Sequence, residues 1–288
     1  MQSLCVISNF RFQNINKKLM KVICNIEIPL IITLHYGVLI LILPVITLLY
    51  NAKNQSWYSL LNIISEPVAL SAYKITFGTA FLASIINGFM GLILAWILVR
   101  YKFPGKKFLD ATLDLPFALP TSVGGLTLMT VYSEQGWMGP FCSWLGVKVA
   151  FNRLGILIAM IFVSLPFVVR TIQPVLQGIE EEIEEAAWCI GASPWTTFSQ
   201  ILLPTLTPSL LTGTALGFSR SIGEYGSIVL IASNIPMKDL VVSVLIFQKL
   251  EQYDYQGATA IATIVLIGSF LILLLINYIQ LWRQDFAK

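Results

Sequence analysis

Apolar residues run along this chain in long segments, separated by short stretches that carry most of the charged and turn-forming residues. A helix needs about 20 apolar residues to cross the roughly 30 Å hydrocarbon core of a bilayer, and these segments approach or exceed that length. The pattern therefore predicts an all-α, polytopic membrane protein with about six transmembrane helices. The predicted spans are residues 28–50, 75–99, 113–132, 154–172, 209–231 and 258–281.

The third predicted span contains several residues that interrupt helices. Such residues persist in a membrane segment where neighbouring helices or a water-filled cavity satisfy the freed backbone groups. The segment therefore either lines a pathway or forms a kinked helix in a packed bundle, and both interpretations stand at this point. The interrupting residues are Pro116, Pro120, Gly124 and Gly125.

Composition supports the membrane class. Of the 288 residues, 56% are hydrophobic and 11% are charged, whereas a soluble domain carries about 25% charged residues. The mean hydropathy is +0.78. These values exclude a disordered chain, a nucleic-acid binder with a basic face and most cytosolic enzymes.

Lys and Arg residues predict the orientation, because positive residues in short loops stay on the cytoplasmic side. Both termini and the loops after spans two and four are predicted to be cytoplasmic, or stromal in a plastid. Residues 1–26 lack the features of a cleaved secretory signal and are interpreted as a cytoplasmic extension; residues 27–282 form the membrane domain and residues 283–288 a cytoplasmic tail. The two main basic groups are Arg11, Lys17, Lys18 and Lys21, and Arg100, Lys102, Lys106 and Lys107.

The predicted inner loop at about residues 173–204 has no Lys or Arg but holds five glutamates. Acidic residues favour a helix start, and Gly191 offers a stop. Ser193 and Pro194 are typical of an N-cap followed by the first helical residue. We expect a short pair of helices, the second ending at Pro204, that forms a docking surface. The glutamates are Glu180, Glu181, Glu182, Glu184 and Glu185.

Within this loop, Glu185-Ala186-Ala187, then Gly191, then Ile201-Leu202-Leu203-Pro204 resemble the EAA loop of ABC importer permeases. The resemblance implies a type I ABC importer permease fold, in which this loop is a coupling helix that sits in a groove of a separate ATPase subunit. It also assigns residues to ATPase coupling. These are Glu185, Ala186, Ala187, Gly191, Ile201 and Pro204.

Nucleotide chemistry is not expected in this chain. The phosphate-binding pattern G-x-x-x-x-G-K-[ST] is absent, since Gly105-Lys106 lacks the upstream glycine and the following Ser or Thr. The cysteines form no C-x-x-C pair and share no short spacing with the one histidine, so no metal site is predicted. We predict no catalytic residue and no bound cofactor, with ATP and Mg²⁺ held by a partner ATPase.

The fifth predicted span contains Arg220 and Glu224, four residues apart and able to pair on a helix. Intramembrane charges are costly and usually face a bundle interior or an aqueous cavity. The pair is therefore predicted to face the translocation pathway, either as a structural or gating element or as an electrostatic aid to an anion. Gly213 and Gly217 form a G-x-x-x-G pattern that is a candidate for a permease dimer interface.

Three further segments resemble the sulfate and molybdate permeases. Residues 115–121 and 218–226 are similar to both, and residues 250–260 are similar to the sulfate/thiosulfate branch, in particular its T subunit. The similarity covers about residues 30–282 and departs at Lys238-Asp239, where Thr-Glu is expected. That departure lies on the predicted outer side, where a binding protein would dock.

This resemblance implies the permease subunit of an ATP-driven importer for sulfate and thiosulfate that works by alternating access. The implied partners are two ATPase subunits, a second permease subunit, expected to be a sister sulfate permease in a heterodimer, and an extracytoplasmic sulfate-binding protein. The membrane is a bacterial plasma membrane or a plastid envelope.

Two alternatives remain open at this stage. A molybdate or tungstate permease shares the fold and much of the motif pattern. An ion-coupled secondary transporter would need paired intramembrane carboxylates or histidines and inverted repeats, of which only Glu224 is a credible member.

Overall fold

The structure is a computed structural model that describes residues 29–286, with side chains described for residues 29–278. The described residues are mostly helical and contain no strands. The predicted extension at residues 1–26 lies outside them. The chain divides into two units, residues 1–56 and 57–288.

In the first unit, a single long apolar helix is described, α1 (Pro29–Lys53). One turn of it, Val38–Ile42, is a π-helix that ends directly before Leu43-Pro44. A proline lacks an N–H and its ring crowds the carbonyl four residues earlier, so a widened turn before it relieves both problems.

The second unit contains the remaining described helices. We call the end at which α3 finishes, at Arg100, the inner end, after the predicted orientation, and the opposite end the outer end. The helices are α2 (Trp57–Ile64), α3 (Pro67–Arg100), α4 (Lys106–Leu113), α5 (Leu115–Ala118), α6 (Thr121–Tyr132), α7 (Gly139–Trp144), α8 (Arg153–Gln177), α9 (Glu181–Cys189), α10 (Pro194–Ile222), α11 (Gly226–Ile231), α12 (Val242–Glu251) and α13 (Tyr255–Phe286).

Five of the described helices, α1, α3, α8, α10 and α13, are long and apolar enough to cross a membrane. This confirms the all-α polytopic class. The third predicted span is not one continuous helix, because the chain is extended at Leu119 and Pro120, between α5 and α6. The fifth is displaced towards the N-terminus, since α10 runs from Pro194 to Ile222 and the predicted end is the separate α11.

Helices α3, α8 and α10 pack together as the centre of the second unit. Small residues permit their close approach: a Cβ on Gly91 of α3 would lie 2.7 Å from Val168 Cγ1 of α8. Asn87 of α3 is fully buried and donates to the carbonyl of Ile161 at 3.0 Å and to Ser164 Oγ at 2.7 Å, which adds a polar link to α8.

The G-x-x-x-G pattern of α10 serves this internal packing. A Cβ on Gly213 would lie 3.0 Å from Val168 Cα, and one on Gly217 would lie 3.5 Å from Ser164 Cβ. Both glycines are buried against α8 of the same chain. The predicted dimer-interface role is therefore wrong for this pattern, because its small surface is already covered.

Helix α10 does not end at Pro204, contrary to the sequence prediction. A π turn at Phe198–Leu202 precedes Leu203-Pro204, in the same position relative to the proline as in α1. The Thr205 hydroxyl donates to the Ile201 carbonyl at 2.8 Å, which adds a hydrogen bond across this turn. Pro204 thus changes the helix geometry locally and lets the helix continue into the span.

Candidate functional site

The inner end of the second unit carries the acidic helix α9, which begins as the sequence predicts. Glu181, Glu182 and Glu184 occupy its first turn, where negative charge complements the positive end of the helix dipole. Helix α9 spans Glu181–Cys189, and along the chain it follows the long helix α8 and precedes the long helix α10.

The end of α9 explains why a glycine stands in the motif. Gly191 has φ of +88°, a conformation that side-chain-bearing residues rarely adopt. Its N–H donates to the Trp188 carbonyl at 3.0 Å, and the N–H of Ala192 donates to the Ala187 carbonyl at 3.0 Å. This pair of bonds is a Schellman motif, which closes the helix and turns the chain sharply.

Helix α10 then begins with the predicted cap. The Ser193 Oγ accepts a hydrogen bond from the backbone N–H of Thr196 at 3.1 Å, and Pro194 occupies the first helical position. The turn at Gly191 is therefore held on both sides by local hydrogen bonds. A turn fixed in this way can pass on a displacement without absorbing it.

The motif residues differ in exposure. Glu185, Ala186, Gly191 and Pro204 are exposed, Ile201 is half-buried, and Ala187 is buried. Large apolar side chains are exposed on the same two helices and the turn that joins them, an arrangement typical of a protein docking surface with an acidic component. They are Ile183, Trp188, Ile190 and Trp195.

A buried ion pair that the sequence analysis missed holds α9 to the end of α3. One guanidinium nitrogen of Arg100 lies 2.7 Å from the Glu184 carboxylate, and the same nitrogen donates to the Ile179 carbonyl at 3.1 Å. The other terminal nitrogen lies 3.9 Å from the Glu181 carboxylate. In the sequence, Arg100 is only an orientation signal, because no local pattern pairs it with Glu184.

Aromatic rings hold the start of α10 at the same place. Trp96, one turn before Arg100, meets Phe198 edge-to-face with ring centroids 5.6 Å apart. Trp195 lies beside Phe198 at 5.8 Å. A cavity of about 340 Å³ lies here, and its lining includes Trp96, Arg100, Glu184, Glu185 and Trp188.

A second ion-pair cluster fixes α4 and α5 to α8. The Arg170 guanidinium binds the Asp114 carboxylate through two nitrogens, at 2.9 and 2.6 Å, and the Asp110 carboxylate at 2.7 Å. It also donates to Gln173 Oε1 at 2.6 Å. Arg170 thus anchors the inner loop that follows α3.

The structure brings Arg220 and Glu224 together, as predicted, although Glu224 lies beyond the end of α10. The guanidinium and carboxylate are 2.7 Å apart. The other Glu224 oxygen accepts from the backbone N–H of Ser227 at 2.9 Å and from its hydroxyl at 2.8 Å. The Glu224 side chain is 1% exposed and that of Arg220 is 31% exposed, so the carboxylate is enclosed while the guanidinium is partly open.

The break after α10 packs against the break before α6. A Cβ on Gly226 would lie 2.2 Å from Thr121 Oγ1, and one on Gly125 would lie 2.5 Å from the Cα of Ser227. The interrupted third segment therefore contacts the residues that bind Glu224. The break between α5 and α6 and the break between α10 and α11 pack against each other. Protein therefore covers the backbone groups that leave the helices at these breaks, as membrane segments require.

Lys238 and Asp239, where the sequence departs from the expected Thr-Glu, lie in a loop at the outer end and have different surroundings. Asp239 is fully buried and its carboxylate accepts from the Ser233 N–H at 2.7 Å and from the Ile235 N–H at 2.9 Å. Lys238 is exposed. Asp239 thus shapes the loop from within, and only Lys238 changes the surface that a partner would meet.

Among the described residues, no group of three or more His, Cys, Asp and Glu side chains is placed to hold a metal ion. Cys142 and Cys189 are free thiols, one buried and one exposed. The expectation that this chain binds no cofactor remains a prediction.

Comparison with known proteins identifies the family. Residues 87–283 match the family described as "Binding-protein-dependent transport system inner membrane component". A protein of Zygnema circumcarinatum named "Probable sulfate transport system permease protein cysT" is 70% identical over 285 residues, 99% of each chain. A protein of the same name from Anthoceros angustus is 72% identical over 264 residues, 92% of each chain.

A solved structure shares the fold at low sequence identity. The chain resembles a subunit in the crystal structure of a bacterial alginate ABC transporter in complex with an alginate-bound periplasmic protein, with a TM-score of 0.74 and 19% identity. The match covers 91% of this chain and 95% of that one. The protein is an integral membrane protein, and it belongs to the family of inner membrane components of binding-protein-dependent transport systems.

Proposed function

We propose that this chain is one of two translocation subunits of an ATP-driven importer of sulfate that also accepts thiosulfate. The assignment of sulfate as the substrate rests on the 70% identity, over nearly the full length, to a protein named as a probable sulfate transport permease. The proposed mode of transport is supported by helix α9 of the EAA pattern, which ends in the Schellman motif at Gly191 and carries exposed apolar side chains suited to contact with another protein.

The proposed partner at the inner end is an ATPase subunit. Glu185, Ala186 and Gly191 are exposed on α9 and its turn, while Ala187 keeps the helix close to the bundle. Ile201 and Pro204 shape the helix that continues from that turn into the membrane. ATP and Mg²⁺ belong to the partner, and this chain contributes no catalytic group.

The proposed role of Arg220 and Glu224 is to hold the pathway wall at the end of α10. The Glu224 carboxylate is satisfied by Arg220 and by Ser227, which supports a structural or gating role over a standing anion site. A lone guanidinium already neutralised by a carboxylate gives little net attraction for a dianion.

The remaining assembly consists of a second permease subunit, proposed to be a sister sulfate permease, a second ATPase subunit and an extracytoplasmic sulfate-binding protein. Both termini face the cytoplasm or stroma, and the membrane is a plastid envelope or bacterial plasma membrane. In alternating access, ATP binding closes the ATPases, and the coupling helices move the permease pair towards the outward-open state.

Labelled sulfate uptake in a strain that lacks the chain tests this function. Loss of ATP-dependent sulfate uptake and of growth on sulfate, restored by the intact gene, is expected. A normal uptake rate would contradict the sulfate assignment, and loss of molybdoenzyme activity alone would assign the chain to the molybdate and tungstate group. Uptake that follows an ion gradient and ignores ATP would indicate a secondary transporter.

A further inference from the structure

The inner end of α3 contacts both helices that flank the Gly191 turn. Arg100 binds Glu184 of α9 at 2.7 Å and the carbonyl of Ile179 at 3.1 Å. Trp96, on the same face of α3, contacts Phe198 of α10. The acidic helix is therefore attached to α3 as well as to its neighbours in sequence.

The Arg100–Glu184 pair differs from the other ion pairs of the inner loop because both of its side chains are nearly buried. Their exposed fractions are 12% and 11%, whereas that of Glu181 is 75%. An ion pair removed from water is held tightly, since separating it leaves an uncompensated buried charge. This contact can therefore transmit force, which an exposed and screened pair cannot do.

Helix α3 is suited to carry a displacement over a long distance. It is 34 residues long, and its one proline stands in its first turn. In the outer half of α3, the buried Thr76 hydroxyl oxygen accepts a hydrogen bond at 2.9 Å from the backbone N–H of Val242, the first residue of α12. Thr76 and Arg100 are separated by about 36 Å along the helix axis, at 1.5 Å per residue.

We infer that Arg100 is a positioning residue that attaches the coupling helix α9 to α3, so that α3 carries the movement of α9 across the membrane to α12. This inference rests on the proposed ATPase coupling. Movement of α9 displaces the inner end of α3 through the buried ion pair. The packing of α3 along α8 and α10 converts that displacement into a shift of the whole helix, which reaches α12 at Thr76.

The test uses the complete transporter in lipid nanodiscs and proteoliposomes, with the sulfate-loaded binding protein as the stimulus. Arg100→Gln and Glu184→Gln each leave a charge unpaired at a nearly buried position, so both are expected to lower the thermal stability of the complex. In the complexes that assemble, basal ATPase activity is expected to persist, while stimulated activity and sulfate uptake fall about tenfold, a loss typical of an allosteric coupling. Exchanging the charges with Arg100→Glu and Glu184→Arg together is expected to restore part of the stimulation.

Glu181→Gln is the matched control, because it removes one negative charge from the same helix at an exposed position. It is expected to leave stimulation near the wild-type level. An equal loss in this control would overturn the inference, since the effect would then come from the docking surface charge.

Thr76→Val tests the outer half of α3, far from the proposed ATPase contact, and keeps the side-chain shape while it removes the acceptor oxygen. It is expected to reduce stimulated activity without changing ATPase binding. This variant decides the question if Arg100→Gln does not assemble.

Unchanged stimulation in Arg100→Gln, or in Thr76→Val, would overturn the inference. A parallel fall of basal and stimulated activity without rescue by the exchanged pair would assign Arg100 to stability alone and overturn it as well. Failure of the wild-type complex to respond to the loaded binding protein would refute the importer itself, which distinguishes the two hypotheses.

Discussion

The Glu224 carboxylate links the end of α10 to the start of α11. It pairs with Arg220 of α10 at 2.7 Å and accepts a hydrogen bond from the N–H of Ser227 in the first turn of α11. The carboxylate is thus charge-compensated inside the bundle by one side chain and by one helix start. The two groups of the pair are not equivalent, because only Arg220 reaches partly open space.

This asymmetry predicts different effects for the two neutral substitutions. Arg220→Gln leaves a buried carboxylate without its counter-charge and is expected to cost about 3 kcal/mol of stability. Glu224→Gln keeps an acceptor for Ser227 and leaves an arginine that solvent can reach, so a smaller cost of about 1 kcal/mol is expected. Thermal unfolding of the purified permease complex measures both.

The exposed Lys148–Glu134 pair provides the control for those variants, since its side chains are 62% and 76% exposed. Lys148→Gln is expected to leave the unfolding temperature unchanged within error. Equal destabilisation by Arg220→Gln and Glu224→Gln would contradict the unequal enclosure of the two groups. If assembly and stimulated ATPase activity both persist in Arg220→Gln, the gating role is wrong.

Gly191→Ala is expected to weaken ATPase binding. Its φ of +88° places a Cβ in a strained conformation that costs about 1–2 kcal/mol, and relief of the strain would open the Schellman motif. Co-purification of the ATPase subunit with tagged permease measures the effect. Gly178→Ala is the matched control, because Gly178 has a φ of −78° and a Cβ added there would lie 3.5 Å from the nearest atom. If the two variants co-purify the same amount of ATPase subunit, the argument from the strain at Gly191 is wrong.

Ile190→Asp is expected to abolish ATPase association while the permease remains folded. Ile190 is 86% exposed beside the Gly191 turn, so the substitution costs little inside this chain but puts a charge at the proposed apolar contact. The measurement combines ATPase co-purification with thermal unfolding of the permease. Normal association would place the docking surface elsewhere.

Gly125→Ala is expected to lower accumulation in the membrane severely. The added Cβ would lie 2.5 Å from the backbone of Ser227, which cannot move aside as a flexible side chain can. Gly78→Ala serves as the control, since a Cβ there meets nothing within 4 Å and alanine favours the helix. Equal accumulation of the two variants would show that α6 and α11 do not depend on this close contact.

Local signals in the sequence were sufficient to predict the acidic helix and its ends. Glutamates in the first turn, a glycine at the stop and Ser193-Pro194 at the restart each act over a few residues, and the structure contains all of them. The long apolar spans were predicted for the same reason. Their exact ends were less accurate, because Pro204 is normally a stop signal and here follows a π turn.

Contacts between distant parts of the chain could not be predicted from pattern alone. Arg170 binds carboxylates 56 and 60 residues away, and Arg100 binds Glu184 of α9, which follows the spanning helix α8 in the chain. The rule that places positive residues on the cytoplasmic side applies to both arginines whether or not they have these partners, so it does not reveal the ion pairs. The G-x-x-x-G pattern likewise specifies close packing, but the choice between another helix of the chain and another subunit depends on the assembled bundle.

The π turn at Phe198–Leu202 also determines where this chain tolerates a change in length. It holds one residue more than an α-helical turn, so all of α10 beyond Leu203 is rotated by about 100° relative to an unbroken helix from Pro194. Deletion of one residue within the turn would restore a regular helix and leave Arg220 on its present face. Deletion of one residue between Leu203 and Gly213 would instead turn the buried glycines away from α8.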